Sequence, residues 1–191
     1  MPEEHTPAET ERIGIYGGSF DPPHVGHVLL AHYLMMTAQV SRLLVVPTFE
    51  HPLGKPLGRY SHRLQMCRLA FAHGPSVEVS TLEQELGGPS LTLRLVKEVA
   101  RRHPGASLRL VIGADILGER PRWHRFEDIE DIAPPLVVGR GGSPVVQTGS
   151  EAIPASEIAP VSMPEVSSSE LRQRLAQGRD TRAHLPRSVL T

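Results

Sequence analysis

Two histidines three residues apart, His24 and His27, are the side chains of this sequence best placed to do chemistry. They end the stretch GGSFDPPHVGH, which begins at Gly17. Residues three apart on a helix share one face, so both imidazoles can point to the same place. The free N–H groups and the positive dipole end of a helix start favour anions at such a place. The pattern predicts a site for a polyphosphate.

The residues on either side of this stretch predict a strand–loop–helix unit that positions it. Residues 13–16 form an apolar run typical of a buried strand, and residues 28–34 carry apolar side chains at helical spacing. Two glycines allow close approach of the backbone to a ligand, and Ser19 follows them directly. A Gly-Gly turn or a helix histidine taken singly is usually structural. The ordered combination is far more specific.

Composition limits the classes of protein to consider. The chain has 191 residues, 20 basic and 21 acidic, which suits one α/β domain and gives no reason to expect nucleic acid or a membrane as partner. No apolar run approaches the length that spans a bilayer, and residues 1–11 are polar, unlike a signal peptide. We expect a disordered tail at residues 1–11, a single domain at residues 12–191, and a cytoplasmic protein.

The cysteine and histidine content argues against disulfides and against a zinc centre. Cys67 is the single cysteine and lies in an apolar-periodic segment, which predicts a buried core thiol. The ten histidines are scattered, with no H-E-x-x-H motif.

Apolar runs alternate with helical spacing along the rest of the chain. This order predicts an α/β fold, a Rossmann-like doubly wound sheet, mainly parallel, of five or six strands with helices on both faces. Further strands are predicted at residues 42–47, 76–81, 107–112, 136–139 and 158–161. Helices are predicted from an N-cap at Ser61, from residues 90–92 to about 102, and from an N-cap at Ser167, with loops at residues 48–59, 82–89 and 141–157.

Three further places carry candidate ligand-binding side chains. The loop at residues 48–59, with His51 and Lys55, leaves the carboxyl end of a parallel strand, where ligands of open α/β sheets bind. Asp115 follows the predicted fourth strand, where an acid can bind ribose hydroxyls or simply cap the next helix. Trp123 stands among Arg122, His124 and Arg125, a setting that favours stacking on an aromatic ligand over burial in the core.

The helix predicted from Ser167 offers a second anion cradle. Ser168, Ser169 and Arg172 fall in its first turn. The simpler interpretation is an ordinary capped helix.

Together these pieces resemble the bacterial nicotinate mononucleotide adenylyltransferase family, in the H-x-G-H nucleotidyltransferase superfamily. The matching pieces are GGSFDPPHVGH, SHRLQMCRLA, EQELGGPSLT, VIGADIL, Trp123 with FEDI, VVGR and VSSSELRQRL. Members of that family transfer the adenylyl group of ATP to nicotinate mononucleotide, with magnesium. The products are nicotinate adenine dinucleotide, on the way to NAD, and pyrophosphate.

The resemblance also implies roles for particular residues. The catalytic residues would be His24, His27 and Arg172. The ATP-binding residues would be Gly17, Gly18, Ser19, Phe20, Gly26, Asp115, Ser168 and Ser169. The acceptor-binding residues would be His51, Lys55, Thr92 and Trp123. No protein side chain is assigned as a metal ligand, Mg²⁺ accompanies ATP, and a homo-oligomer is left open.

Departures from the family pattern all concern the acceptor. Leu91 replaces an aromatic residue, Gly87 and Gly88 stand where basic residues are usual, and FEHPLGK replaces a P-P-H loop. Nicotinamide mononucleotide and phosphopantetheine therefore remain open as acceptors in place of nicotinate mononucleotide. The sequence also leaves open a cytidylyltransferase and a non-catalytic nucleotide-binding regulator of the same fold.

Overall fold

A computed structural model describes residues 10–37, 39–113, 123–138 and 164–190. Within these residues the strands are β1 (Arg12–Gly18), β2 (Arg42–Pro47), β3 (Val77–Val79), β4 (Ser107–Gly113) and β5 (Pro135–Val138). The α-helices are α1 (Val25–Met36), α2 (Tyr60–Phe71), α3 (Leu82–Leu86), α4 (Thr92–Arg102), α5 (Phe126–Ile132) and α6 (Ser168–Ala176). A short 3-10 helix, Arg187–Val189, comes near the end.

The strands form one sheet in the order β3-β2-β1-β4-β5, and every pair is parallel. This confirms the predicted doubly wound α/β fold. The chain runs outward in one direction from β1 to β3, then crosses to the other side of β1 for β4 and β5. Ligands of such sheets bind at this switch point, beyond the carboxyl ends of the central strands. Those ends are Gly18 of β1 and Gly113 of β4.

Both faces of the sheet are covered by helices, because side chains of each strand alternate between two core layers. In β2, Leu43 and Val45 belong to the layer that includes residues of α1 and α2, while Leu44 and Val46 belong to the layer under α4 and α5. Gly14 of β1 lets the first layer close tightly, since a Cβ there would lie 2.8 Å from Cδ1 of Leu43.

Cys67 lies within the layer beside α1 and α2 and is fully buried, as predicted. Burial raises the pKa of its thiol to about 12, so the thiolate is disfavoured near neutral pH.

The structure corrects the predicted start of α2. The helix begins at Tyr60 with Arg59 at the N-cap position, so Ser61 is not the N-cap. The first turn is closed by the main chain instead, because the Arg59 carbonyl accepts hydrogen bonds from the N–H groups of His62 and Arg63.

Two other element boundaries differ from prediction. Residues 82–86, predicted as loop, form α3, because Leu82 is buried in the core and Glu83 is drawn inward by hydrogen bonds. The third strand is shorter than residues 76–81, since Ser76 has a positive φ of 59° that is incompatible with an extended strand.

Several predicted features lie outside the described residues: Asp115, Gly139, the loop at residues 141–157, the strand at residues 158–161 and residues 1–9 of the tail. Glu11 is described, and its carbonyl accepts a hydrogen bond from the N–H of Ser107 at the start of β4. In the described parts of the chain, no helix has the length and apolar character to cross a membrane.

Candidate active site

His24 and His27 stack on each other at the start of α1. His24 takes the N-cap position in an extended conformation and is only 4% exposed. The two rings lie 3.6 Å apart and nearly parallel, and the N–H of His24 donates to Nδ1 of His27 at 3.0 Å. A neutral imidazole that accepts at one nitrogen carries its proton on the other. In its neutral form, His27 would therefore carry its ring proton on Nε2.

An aromatic floor supports His27 from below. The ring of Phe20 meets His27 edge-on at 5.0 Å and also makes edge contacts with Tyr16 at 5.3 Å and Phe71 at 6.1 Å. Phe20 is 1% exposed and adopts a positive φ of 45°, which turns its side chain into the core. Phe20 therefore packs under His27 from the core and helps to hold its ring in place.

The glycines at positions 17, 18 and 26 differ in the space around them. A Cβ on Gly18 would lie 3.1 Å from the ring of Phe20, and one on Gly26 would lie 3.2 Å from the ring of His24, so a side chain at either position would require a buried ring to shift. A Cβ on Gly17 would meet no protein atom within 4 Å. Gly17 thus has an exposed backbone at the end of β1.

The start of α6 docks onto the same loop. Ser167 is the N-cap as predicted, its Oγ accepting from the N–H of Glu170 at 3.1 Å. The hydroxyl of Ser168 donates to the carbonyl of Pro22 at 2.9 Å. These bonds hold the first turn of α6 beside residues 21–22, although 146 positions of sequence separate Ser168 from Pro22.

Arg172 reaches across from α6 to the loop. Its Nη1 donates to the carbonyl of Asp21 at 2.5 Å and lies 3.7 Å from Oδ2 of Asp21, while Nη2 donates to the hydroxyl of Ser169 at 3.2 Å. A guanidinium has five N–H donors in a rigid fork, so these bonds leave further donors for an anion.

A cleft opens beside the two histidines. It lies at the carboxyl ends of the strands on both sides of the switch point. Its lining residues are Tyr16, His24, Gly26, His27, Leu30, Gly113, Val138, Pro164 and Val166. Of the predicted phosphate-side residues, His24, Gly26 and His27 line this cleft, whereas Ser168 and Arg172 contact the neighbouring residues 21–22. Asp115 would follow Gly113 closely but lies outside the described residues.

Predicted acceptor-side residues are more dispersed. The loop after β2 contacts the segment before α4, because the carbonyl of Glu50 accepts from the N–H of Ser90 at 2.9 Å. His51 is half-buried and its Nδ1 accepts from the N–H of Leu53, whereas Lys55 is exposed. Thr92 is the first residue of α4. His51 and Thr92 therefore lie on adjoining segments.

Trp123 packs partly against the core. Its ring meets Phe126 edge-on at 5.6 Å and lies against the core layer under α4 and α5. The side chain is half-buried, so it has both a core contact and an accessible portion. Stacking of Trp123 on a ligand stays a prediction.

Sequence reasoning missed Arg63, which is 1% exposed. Its guanidinium donates to the carbonyls of Gly58 and Ser19 at 2.8 Å each and to that of Phe49 at 3.5 Å. Burial lowers the pKa of this arginine. The signal was present, because Arg63 falls four residues before buried Cys67 on the inner face of α2.

The sequence pattern also did not indicate a role for Asp21. Its Oδ2 accepts from the N–H of Gly58 at 3.0 Å. An Asp before Pro does favour a turn, but a partner 37 positions away leaves no local trace in the sequence.

Glu83 is a third missed residue. Its carboxylate accepts from the N–H of Phe49 at 2.8 Å and from the hydroxyl of Ser90. Burial outweighs these two bonds and raises the pKa of Glu83. The loop after β2 is thereby fastened to α3 and to the segment before α4.

The titratable side chains do not assemble into a metal centre in the part of the chain that the structure describes. No group of three or more His, Cys, Asp or Glu side chains there is arranged to hold an ion.

Known proteins are similar to this chain over most of its length. The cytidylyltransferase-like family model matches residues 15–174. The probable nicotinate-nucleotide adenylyltransferase of Anaeromyxobacter dehalogenans (strain 2CP-C) is 40% identical over 93% of this chain and 91% of its own. The corresponding protein of Gemmatimonas aurantiaca is 34% identical over 94% and 88%.

Solved structures share the fold at lower sequence identity. The Plasmodium falciparum nicotinic acid mononucleotide adenylyltransferase complexed with NaAD is 20% identical, with a TM-score of 0.75 over 94% of this chain and 92% of that one. A putative nicotinate-nucleotide adenylyltransferase from Vibrio parahaemolyticus is 19% identical, with a TM-score of 0.66 over 94% and 96%.

Proposed function

The chain belongs to the nicotinate-nucleotide adenylyltransferase family, within the cytidylyltransferase-like group, and from that premise we propose that it transfers the adenylyl group of ATP to nicotinate mononucleotide. The products are nicotinate adenine dinucleotide and pyrophosphate. The observation that carries this proposal is the pairing of two phosphate-binding elements: the stacked histidines at the start of α1 and the serine–arginine turn of α6.

The reaction needs no protein nucleophile. A phosphate oxygen of the acceptor attacks the α-phosphorus of ATP, a new P–O bond forms, and the bond from the α-phosphorus to the bridging oxygen breaks. Pyrophosphate leaves with that oxygen and its electron pair. Catalysis then comes from positioning and from stabilising charge on the leaving phosphates.

We assign the charge stabilisation to His24, His27 and Arg172. Ring and guanidinium N–H groups of His27 and Arg172 would donate to phosphate oxygens, and Ser169 would add its hydroxyl from the other side. Ser168, whose single O–H donates to the carbonyl of Pro22, would hold the first turn of α6 in place for ATP. The start of α1 would contribute its positive dipole end, whereas the N–H groups of Val25 and His27 already donate to the carbonyls of His184 and His24. Gly17 would let the β1 backbone pass close to the nucleotide.

Magnesium enters this proposal as part of the substrate. Mg²⁺ commonly keeps several waters and binds through substrate phosphates with one or two carboxylates. We call residues 19–24, between β1 and α1, the phosphate loop. Its carboxylate, that of Asp21, already accepts from the N–H of Gly58 and lies near Arg172. We therefore expect the ion to arrive on the ATP phosphates, where it neutralises charge on the leaving group.

Acceptor binding falls to His51, Lys55, Thr92 and Trp123. In this assignment Lys55 would hold the acceptor's phosphate, and Trp123 would lie against its pyridine ring. We expect the enzyme to work in the cytoplasm, where ATP and pyridine nucleotides are available.

A substrate panel tests the proposal. Nicotinate mononucleotide, nicotinamide mononucleotide and phosphopantetheine are each offered with ATP or with CTP, and pyrophosphate release is followed. We expect turnover with ATP and nicotinate mononucleotide. Turnover only with nicotinamide mononucleotide or phosphopantetheine would contradict the acceptor assignment, a preference for CTP would contradict the donor, and binding without turnover would favour a regulator.

A further inference from the structure

The loop after β2 and the phosphate loop are joined by one buried side chain. Arg63 donates through Nη1 to the carbonyl of Ser19 in the phosphate loop, and through Nε and Nη2 to the carbonyls of Gly58 and Phe49. Phe49 and Gly58 lie at the two ends of the acceptor loop, residues 48–59. One guanidinium therefore fixes the positions of both ends of that loop relative to Ser19.

Asp21 closes the connection from the other side. Gly58 uses both of its main-chain groups, its carbonyl accepting from Arg63 and its N–H donating to Oδ2 of Asp21. There is no room for a larger residue, because a Cβ on Gly58 would lie 2.7 Å from Oδ1 of Asp21. We call this set, Arg63 with Asp21 and Gly58, the Arg63 clamp.

The chemistry of the clamp specifies geometry more than it adds stability. A buried arginine is costly unless its donors are matched, and the hydrogen-bond acceptors of Arg63 are three neutral carbonyls. The carboxylate of Asp21 and the ring of Tyr60, 5.5 Å from the guanidinium, offset part of that cost. A packed apolar side chain would hold the helix against the loops at less cost. The planar fork of arginine, however, fixes the positions of several acceptors at once.

We propose that Arg63 is a positioning residue for adenylyl transfer, which sets the acceptor loop at a fixed distance from the phosphate loop. This inference rests on the proposed function for the identity of the reaction. In-line transfer needs the attacking oxygen and the α-phosphorus within a narrow range of distance and angle. Arg63 touches neither substrate and acts through Ser19, Phe49 and Gly58.

The clamp also connects the two ligand sides. Arg172, assigned to the ATP phosphates, donates to the carbonyl of the same Asp21 whose carboxylate holds Gly58. Phosphate binding at Arg172 therefore acts on a residue that restrains the acceptor loop. ATP is expected to make that loop more rigid before the acceptor arrives.

Variants of Arg63 test the role by steady-state kinetics. In Arg63→Met the side chain keeps its bulk and loses its donors, and we expect kcat to fall about 100-fold, the cost typical of a misplacement near 1 Å. The KM for ATP should change little. Arg63→Lys retains a donor and should recover part of kcat. The matched control is Arg68→Met, an exposed arginine on the same helix, which should behave like wild type.

Gly58→Ala breaks the clamp without touching a charge. The new methyl group pushes the carboxylate of Asp21 or the loop aside, so the same fall in kcat is expected with Arg63 intact. If Arg63→Met does not fold, the kcat of Gly58→Ala tests the positioning role instead. A folded Gly58→Ala enzyme with wild-type kcat, or losses confined to the KM for ATP, would overturn the inference.

Amide hydrogen exchange supplies a readout that needs no turnover. A non-hydrolysable ATP analogue should slow exchange in residues 49–58 of the wild type and not in Arg63→Met or Gly58→Ala. If the analogue binds and leaves that segment unchanged in the wild type, the clamp has no coupling role. A wild-type enzyme inactive on nicotinate mononucleotide would count against the proposed function and leave this exchange result to stand by itself.

Discussion

The phosphate side of the cleft, residues 17–27 and 167–172, is held by buried rings and short side chain–backbone bonds. The acceptor side, residues 48–59 and 87–92, instead carries an exposed lysine and three glycines with positive φ. His24 stacks on His27 and Phe20 lies beneath, so rotation of the phosphate-side donors is restricted before ATP binds. Lys55 has no comparable packing. In the proposed assignment, the groups that would bind ATP are therefore held in place before it arrives, while binding of the acceptor would depend on how the loop after β2 is anchored.

Loss of His27 should have the largest effect. Removing one preorganised charge-stabilising donor typically costs about 100- to 1000-fold in turnover, and we expect that loss in kcat for His27→Ala. Measurement of initial rates with saturating ATP and acceptor checks it. His27→Gln keeps an acceptor for the N–H of His24 and so separates helix capping from catalysis.

His32→Ala is the control for this prediction, since it removes a histidine from the same helix away from the cleft lining. It should leave kcat near the wild-type value. Near-normal turnover by a folded His27→Ala enzyme would remove the basis for assigning the phosphate side as the catalytic one.

Breaking the anchor of the acceptor side at Glu83 should lower stability. Glu83→Ala removes the carboxylate that accepts from the N–H of Phe49 and from the hydroxyl of Ser90, but that N–H keeps the Ser90 hydroxyl as an acceptor at 3.0 Å. Because the N–H stays matched, we expect a loss of about 1 kcal/mol in the free energy of unfolding, the net value of a typical hydrogen bond. Urea unfolding measures this. Glu83→Gln keeps an acceptor oxygen and should cost less.

The pH dependence of Glu83 has a definite sign. Its folded pKa is raised above the ordinary 4.5, so the folded state holds the proton more tightly than the unfolded chain does. The preference of the folded state for protonated Glu83 therefore contributes to the free energy of unfolding below pH 4.5. This contribution is lost as the pH rises toward the folded pKa. Relative to wild type, Glu83→Gln should gain stability over that window. A relative loss would show that the two hydrogen bonds outweigh burial.

The contrast between the two sides also explains how far the sequence could be interpreted. The parallel sheet, the bounds of β2, the N-cap at Ser167 and the burial of Cys67 were predictable because each depends on local periodicity or on a side chain next to its partner. The H-x-x-H spacing likewise predicted that the two imidazoles lie together, because residues three positions apart at a helix start are neighbours.

What could not be predicted is long-range. Arg63 finds Ser19 across 44 positions and Asp21 finds Gly58 across 37, and neither pairing changes the pattern of residues around it. The short helix α3 was hidden because the five residues Leu82–Leu86 are too few to show a helical period, and its position depends on the bonds of Glu83 to Phe49 and Ser90. Acceptor-side contacts of this kind lie in the tertiary structure.

Lys55 gives a smaller effect that separates the two sides. A charge-assisted hydrogen bond contributes about 1.5–3 kcal/mol, of which an exposed side chain retains the lower part, so Lys55→Ala should raise the acceptor KM about tenfold. The KM for ATP should stay constant. Lys97→Ala, which removes an exposed lysine from α4, is the control. A change in the KM for ATP instead would place the acceptor loop on the donor side.

Tyr60 offers the smallest and most local test of how the acceptor loop is anchored. Its ring meets Phe49 edge-on at 5.1 Å and lies under the guanidinium of Arg63, yet its hydroxyl is buried with no hydrogen bond to the described residues. Burial also raises the pKa of this phenol. Tyr60→Phe keeps both ring contacts and removes the hydroxyl, so stability should be unchanged or rise by up to about 1 kcal/mol, because an unmatched buried hydroxyl is costly. Thermal and urea unfolding measure it, with Tyr33→Phe on α1 as the comparison. A loss above about 1 kcal/mol would mean that the hydroxyl is matched in solution, and that the acceptor loop is held by a polar contact on its Tyr60 side as well as by Arg63 and Glu83.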